Sequence, residues 1–367
     1  MTLSTKLDSM SAWQTIPLYV WEWMEVRLRV DEKVRQSVVF VGVNGPAGFI
    51  PCGTGLLGLA IYEDMGNPVL ITAKHVVDEI KGDSFAVRIN RRDGGAECKT
   101  VQKAATIAFD NKGIDLAIFP FQLGNAAEYD AHFVPLKSES WEFQVKALGE
   151  PSPGDEVCVV GLYTTYYGQI RNIPVARIGH IAALPEERVM TDQGYVLGYL
   201  IECHSIAGLS GSPVYWTVPP IHFKKDQEVP VGLPEYTYVP LGILIGYHVI
   251  ESKEDAILVP QFQTPEADRD YQKPSAGPDE RRTGFGVVVP IQHVYRVFEG
   301  EFMQNLMKKN VEEIRRKSGY RKASATPTID VPSALRSAEA DENPRHKEDF
   351  TSLLNAAAKT KPQGDQT

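Results

Sequence analysis

Three short segments hold side chains that together can break an acyl bond. In Val69-Leu-Ile-Thr-Ala-Lys-His75 an apolar run ends at a histidine. In Gly113-Ile-Asp115-Leu-Ala-Ile-Phe119 an aspartate opens an apolar run. In Gly208-Leu-Ser210-Gly-Ser-Pro-Val214 a serine stands between glycines just ahead of another. A serine hydroxyl is a weak nucleophile near neutral pH and needs a base to take its proton. Imidazole titrates in the right range for that task. A carboxylate beside it fixes the tautomer and stabilises the imidazolium. Glycines flanking the serine let backbone N–H groups approach the oxyanion as it develops. On these types Ser210 is the nucleophile, His75 the general base and Asp115 the orienting carboxylate.

Each segment alone is weak. A histidine after a strand is more often structural, an aspartate before one is more often a turn residue, and Gly-x-Ser-Gly is common in loops. The nucleophile elbow Gly-x-Ser-x-Gly is a different pattern; its last glycine is missing, and Pro213 blocks the helix that follows it. Rivals exist for every role. Asp110 precedes Asp115 but does not adjoin the apolar run. His180 and His204 lack the Thr-Ala-x-His pattern. Ser212 precedes Pro213 and has no glycine two residues earlier.

The elements that position these residues read as strands. Short β-rich runs occur at Ser37–Val43, Thr54–Ile61, Pro68–Thr72, Ser84–Ile89, Asp115–Phe119, Glu156–Leu162, Gly198–Cys203, Pro213–Trp216, Pro240–Gly246 and Gly284–Val289. Many short strands punctuated by Gly and Pro indicate an all-β barrel or sandwich rather than βαβ units. Residues 1–36 form an N-terminal extension, with a candidate amphipathic helix from about Trp21 to Val34. Val218–Val239 and Glu251–Arg282 read as long loops, functional or disordered. Pro290–Lys317 reads as one helix with Val294, Val297, Phe298, Phe302 and Leu306 on its apolar side. Residues 319–367 have a disordered-tail composition. Within them Phe350–Lys359 is either a nascent helix or a motif that docks a partner.

Composition narrows the function. The net charge of −9 excludes a protein whose affinity comes from basic residues facing phosphates. Cys52, Cys98, Cys158 and Cys203 form no CxxC pair, so no structural zinc is expected, and neither metal nor cofactor is implied. No apolar run is long enough to cross a membrane. Ile16–Val26 is interrupted by Glu22 and Glu25, with no small-residue cleavage site after it. The expectation is a cytoplasmic protein with reduced thiols.

The three blocks, in the order His, Asp, Ser, resemble those of the trypsin-like (chymotrypsin-fold) serine peptidases. Gly53-Thr-Gly55 is similar to a step found in bacterial members. The resemblance covers about residues 37–293. It implies two antiparallel six-stranded β-barrels, about 37–150 and 155–293, with the site in the cleft between them. A C-terminal helix at 294–318 and the tail would follow. It also implies a serine endopeptidase acting on protein or peptide substrates, with an oxyanion hole from the N–H groups of Gly208 and Ser210. Leu209 stands where digestive members carry the aspartate of their zymogen switch. The tail is too short and polar for the PDZ module of many bacterial members.

Specificity in that family comes from the pocket beside the serine and the strand after it. Gly246-Tyr-His248 resembles the Gly-x-His of glutamyl endopeptidases and picornavirus-type cysteine proteases, which implies Glu or Gln before the cut. Ser205 and His204 would add to that pocket; donors of this kind satisfy an acid or amide side chain. The alternative for His248 is a strand end that caps a loop. The alternative for the whole domain is a catalytically silent binding module, its cleft covered by Val218–Val239.

Overall fold

The computed structural model describes residues 30–107, 113–203, 208–219, 221–222, 231–232, 237–249 and 282–318. Asp110, His204, Ser205, most of 1–36 and both the 251–281 loop and the tail with Phe350–Lys359 lie outside them. The chain divides into two compact units, Met1–Val311 and Glu312–Thr367. All the strands among the described residues lie in the first; the described part of the second is 312–318, the end of a helix.

The first unit opens with α1 (Glu32–Gln36), capped by Asp31, whose side chain accepts the Lys33 N–H at 2.9 Å. An antiparallel sheet follows: β1 (Val38–Gly45), β2 (Gly48–Tyr62), β3 (Met65–Ala73), then β4 (Ser84–Asn90), β5 (Ala96–Gln102) and β6 (Leu116–Pro120). Helix α2 (Lys74–Asp78) joins β3 to β4. Strand order is β5-β4-β1-β2-β3-β6, with the short parallel strand β7 (Val134–Leu136) beside β2. The chain leaving β5 curls round to β6, where the Ile107 N–H donates to Ile118 O. This half-barrel encloses a core of Val, Leu, Ile and Phe side chains.

Helix α3 (Ser138–Leu148) leads to the second half. There β8 (Glu156–Gly161), β9 (Val175–Ala183), β12 (Tyr199–Glu202), β13 (Pro213–Val218), β16 (Thr237–Val249) and β17 (Arg282–Pro290) close a barrel in the order β12-β17-β16-β13-β8-β9. Two hairpins project from it: β10 (Arg188–Thr191) with β11 (Gly194–Leu197), and β14 (Ile221–His222) with β15 (Val231–Gly232). The second lies within the loop expected at Val218–Val239. The β13–β16 ladder runs from Pro213↔Ile243 to Val218↔Thr237, so this insertion leaves the barrel at the end away from Ser210.

Two apolar clusters join the halves. Ile243, Ile245, Val287 and Val289 of the barrel share the half-barrel core. On the other side Val38 and Phe40 pack with Cys158, Val160, Leu162 and Tyr215. There the buried Tyr215 hydroxyl meets Ser37 Oγ at 3.0 Å, and Ser37 Oγ donates to Val34 O.

The single helix expected over 290–317 is two, α4 (Gln292–Glu299) and α5 (Glu301–Ser318), because Gly300 adopts an extended backbone. The break resets the helical phase. Val294, Tyr295 and Phe298 are buried before it, and Met303 and Met307 after it, while the expected core residue Phe302 is 69% exposed.

Candidate active site

Sheet register brings the histidine and the aspartate together. β3 pairs with β6 through Ala73↔Leu116. His75 stands two residues beyond Ala73 and Asp115 one before Leu116, so both emerge at the same sheet edge. Asp115 Oδ1 accepts the His75 backbone N–H at 2.9 Å, and its Oδ2 meets His75 Nδ1. The Asp115 carbonyl accepts the Lys74 N–H at 3.1 Å. One carboxylate therefore fixes both the start of α2 and the imidazole plane, leaving Nε2 as the outward nitrogen. Burial alone lowers the pKa of His75, but the hydrogen bond and charge of Asp115, with the charges of Glu79 and Asp192, outweigh it and leave the imidazole above its ordinary range.

Among the described residues, the hydrogen bonds that tie the serine loop to the half-barrel come from Thr54. The Thr54 N–H donates to Ser210 O at 2.9 Å, and Thr54 Oγ1 donates to Gly208 O at 2.8 Å while accepting the Leu162 N–H at 2.9 Å. With both carbonyls turned to Thr54, the N–H groups of Gly208 and Ser210 make no hydrogen bond among the described residues. Gly208 (φ +98°) and Gly211 (φ +88°) occupy the left-handed region. A Cβ on Gly211 would lie 2.0 Å from Thr54 O and 2.5 Å from Thr72 Oγ1, so only glycine fits. Leu209 is buried in the barrel core and anchors the loop. A Cβ on Gly53 would meet Val76, the neighbour of His75, at 2.6 Å and Ser210 O at 3.0 Å. The three predicted blocks thus converge, with no hydrogen bond between Ser210 Oγ and His75 among the described residues.

The two rivals among the described residues, Ser212 and His180, are placed elsewhere. Ser212 is fully buried and its hydroxyl has no partner among the described residues, facing Gly161. His180 lies on β9 opposite Glu156 and Glu202. Beside the serine, β16 passes at Leu244: the Gly211 N–H donates to Leu244 O at 2.7 Å, and the Leu244 N–H to Ser212 O at 2.9 Å. His248 stands four residues further along that strand, half-buried, and burial lowers its pKa. Sequence reasoning passed over Thr54 as a residue with a task of its own, although Gly53-Thr-Gly55 was noticed, and missed Asp192. Among the described residues no group of three or more His, Cys, Asp or Glu is placed to hold a metal ion, and no helix is long and apolar enough to cross a membrane.

The strand order defines the fold class: a closed six-stranded barrel beside a half-barrel, chymotrypsin-like. No protein-family model matches the sequence, and no curated protein matches it significantly. Among solved structures, the chain is similar to the MamO protease domain of Magnetospirillum magneticum in its apo form. Identity is 17% and the TM-score 0.40, over 71% of this chain and 95% of that one. It is also similar to the Rv3671c protease in an inactive form, at 15% identity and TM-score 0.36, over 72% of this chain and 89% of that one. A serine-to-alanine mutant of Rv3671c from M. tuberculosis H37Rv gives 16% identity and TM-score 0.35, over 72% and 86%.

Proposed function

We propose that the chain is a serine endopeptidase that cleaves peptide bonds through an acyl-enzyme at Ser210. The observation that carries this reading is the Asp115 carboxylate, which holds both the backbone N–H and the ring Nδ1 of His75. That arrangement presents Nε2 as a base toward the serine loop. Ser210 Oγ attacks the carbonyl carbon as Nε2 takes its proton. The resulting imidazolium, stabilised by Asp115, returns the proton to the departing amine. The N–H groups of Gly208 and Ser210, unused within the described residues, receive the oxyanion. Water then repeats the sequence on the acyl-enzyme. The loose Ser210–His75 geometry fits a site that tightens when substrate binds.

Before the cut, an amide suits the site better than an acid. His248 is shifted toward its neutral form by burial, and Asp192 and Glu79 place negative charge near His75. Glutamine is therefore the residue proposed there, within the Glu-or-Gln expectation. A peptide library incubated with wild type, Ser210→Ala and His75→Ala tests both points. Expected is cleavage after Gln by wild type alone; cleavage surviving Ser210→Ala would refute the mechanism, and cleavage mainly after Arg, Lys or large apolar residues would refute the preference.

A second reading, a silent trypsin-like module that binds protein without cutting it, is favoured by one observation, the absent Ser210–His75 hydrogen bond. It predicts that Ser210→Ala leaves the biological function intact.

A further inference from the structure

We infer that Asp192 is a specificity-determining residue that selects a basic side chain in the substrate segment lying along β16, on the amino-terminal side of the cut. This rests on the endopeptidase reading and adds a substrate class to it.

Asp192 sits in the two-residue turn between β10 and β11, closed by the pair Thr191↔Gly194. Aspartates are common in turns because their carboxylates bond nearby backbone. Here that work is done by another residue. Thr191 Oγ1 accepts the Gln193 N–H at 3.1 Å and donates to Gly194 O at 2.8 Å. The Asp192 carboxylate has no hydrogen bond or ion pair among the described residues, although the residue is half-buried.

Its direction is marked by Gly246. Among the described residues, a Cβ on Gly246 would meet one neighbour within 4 Å, Asp192 Oδ1 at 3.8 Å. Among the described residues the glycine leaves β16 uncovered at this point, with the carboxylate beside it. Gly246 is two residues beyond Leu244, where β16 bonds the serine loop, a run of about 7 Å at strand spacing. The charge of Asp192 also reaches His75. Asp192 thus borders the path between the base and β16, which the acyl half of an extended substrate must follow. A half-buried carboxylate without a cation among the described residues leaves its charge open to a partner, and a lysine or arginine of the substrate supplies one.

The experiment has two arms. In the first, wild type, Asp192→Asn and Asp192→Lys are profiled on a peptide library. Expected is enrichment of Lys and Arg at the second or third residue before the cut, with Gln directly before it. That enrichment should fall roughly 5- to 20-fold in Asp192→Asn and reverse toward Asp and Glu in Asp192→Lys, which separates lost recognition from misfolding. In the second, Ser210→Ala protein, with and without Asp192→Asn, binds fluorescein-labelled hexapeptide pools with Lys, Gln or Glu fixed at that position, read by anisotropy. Where wild type cuts nothing, each position of the pools is fixed in turn. Tighter binding of the Lys pool, lost with Asp192→Asn, supports the assignment. Cleavage with no basic preference would overturn the inference and leave the endopeptidase reading standing. No cleavage, with Asp192-dependent binding of the Lys pool, would overturn the endopeptidase reading and keep Asp192 as a recognition residue. Equal binding of Lys and Glu pools would overturn the inference whatever the catalytic result.

Discussion

His75 is where charge, geometry and chemistry meet. A general base must be neutral to act, and the carboxylates of Asp115, Glu79 and Asp192 keep His75 protonated to higher pH than its ordinary value of 6.5. The acid limb of kcat/KM is therefore expected above that value. Asp192→Asn should move it to lower pH, as a pH–rate profile of both proteins will show; an unmoved limb would mean that Asp192 does not face the base. Stability runs the other way. A raised folded pKa stabilises the fold fully below the unfolded value, and the contribution is lost as pH rises through the folded one. The protonation that helps hold the loop thus opposes its catalytic use. At this scale the sequence was informative: residue type and local pattern singled out His75, Asp115 and Ser210, which the fold brings to one place. Thr54 and Asp192 were illegible because their roles lie in partners distant along the chain, Gly208 and Leu162 for one, Gly246 for the other.

The serine loop shows how much an element depends on one backbone conformation. Gly211 combines a positive φ with a Cβ position 2.0 Å from the Thr54 carbonyl, and neither backbone can move without breaking the Thr54 bonds to Ser210 and Gly208. Gly211→Ala is expected to cost at least about 3 kcal/mol, read from the denaturation midpoint; a loss under 1 kcal/mol would mean that the loop shifts freely. Strand legibility followed side-chain chemistry. Runs such as Val69–Ala73, buried from Val69 onward, declare themselves. β9 was missed because its nine residues expose Ala176, Ile178 and His180 and include Arg177, so little hydrophobic signal remains. β5 carries Glu97, Cys98 and Lys99, held instead by ladder bonds to β4 and by Glu97 contacts with Arg91, Lys99 and Tyr129. The break at Gly300 was missed since the apolar residues on either side fit one helical period nearly as well as two.

Over the whole first unit, the site is a product of how two halves are held together. His75 and Asp115 belong to the half-barrel; Ser210 and β16 belong to the closed barrel. The shared core, the Thr54 bonds, the Ser37–Tyr215 contact and the hydrogen bonds from Arg88 and Asn90 to residues 168–172 set the distance between them. The helices after β17 complete that core, and Met307, 1% exposed, packs into the same cluster as Ile71 and Ile118. Met307→Ala should destabilise by about 2–5 kcal/mol, seen as a lower midpoint of thermal unfolding; a neutral substitution would show that the helix is dispensable to the core. The central claim is that this assembly makes Ser210 a nucleophile. It is tested most directly by intact-protein mass spectrometry after treatment with a fluorophosphonate. The account predicts one adduct on Ser210 in wild type, none in Ser210→Ala and greatly slowed formation in His75→Ala. Folded wild-type protein that forms no adduct, or an adduct that persists in Ser210→Ala, would contradict it.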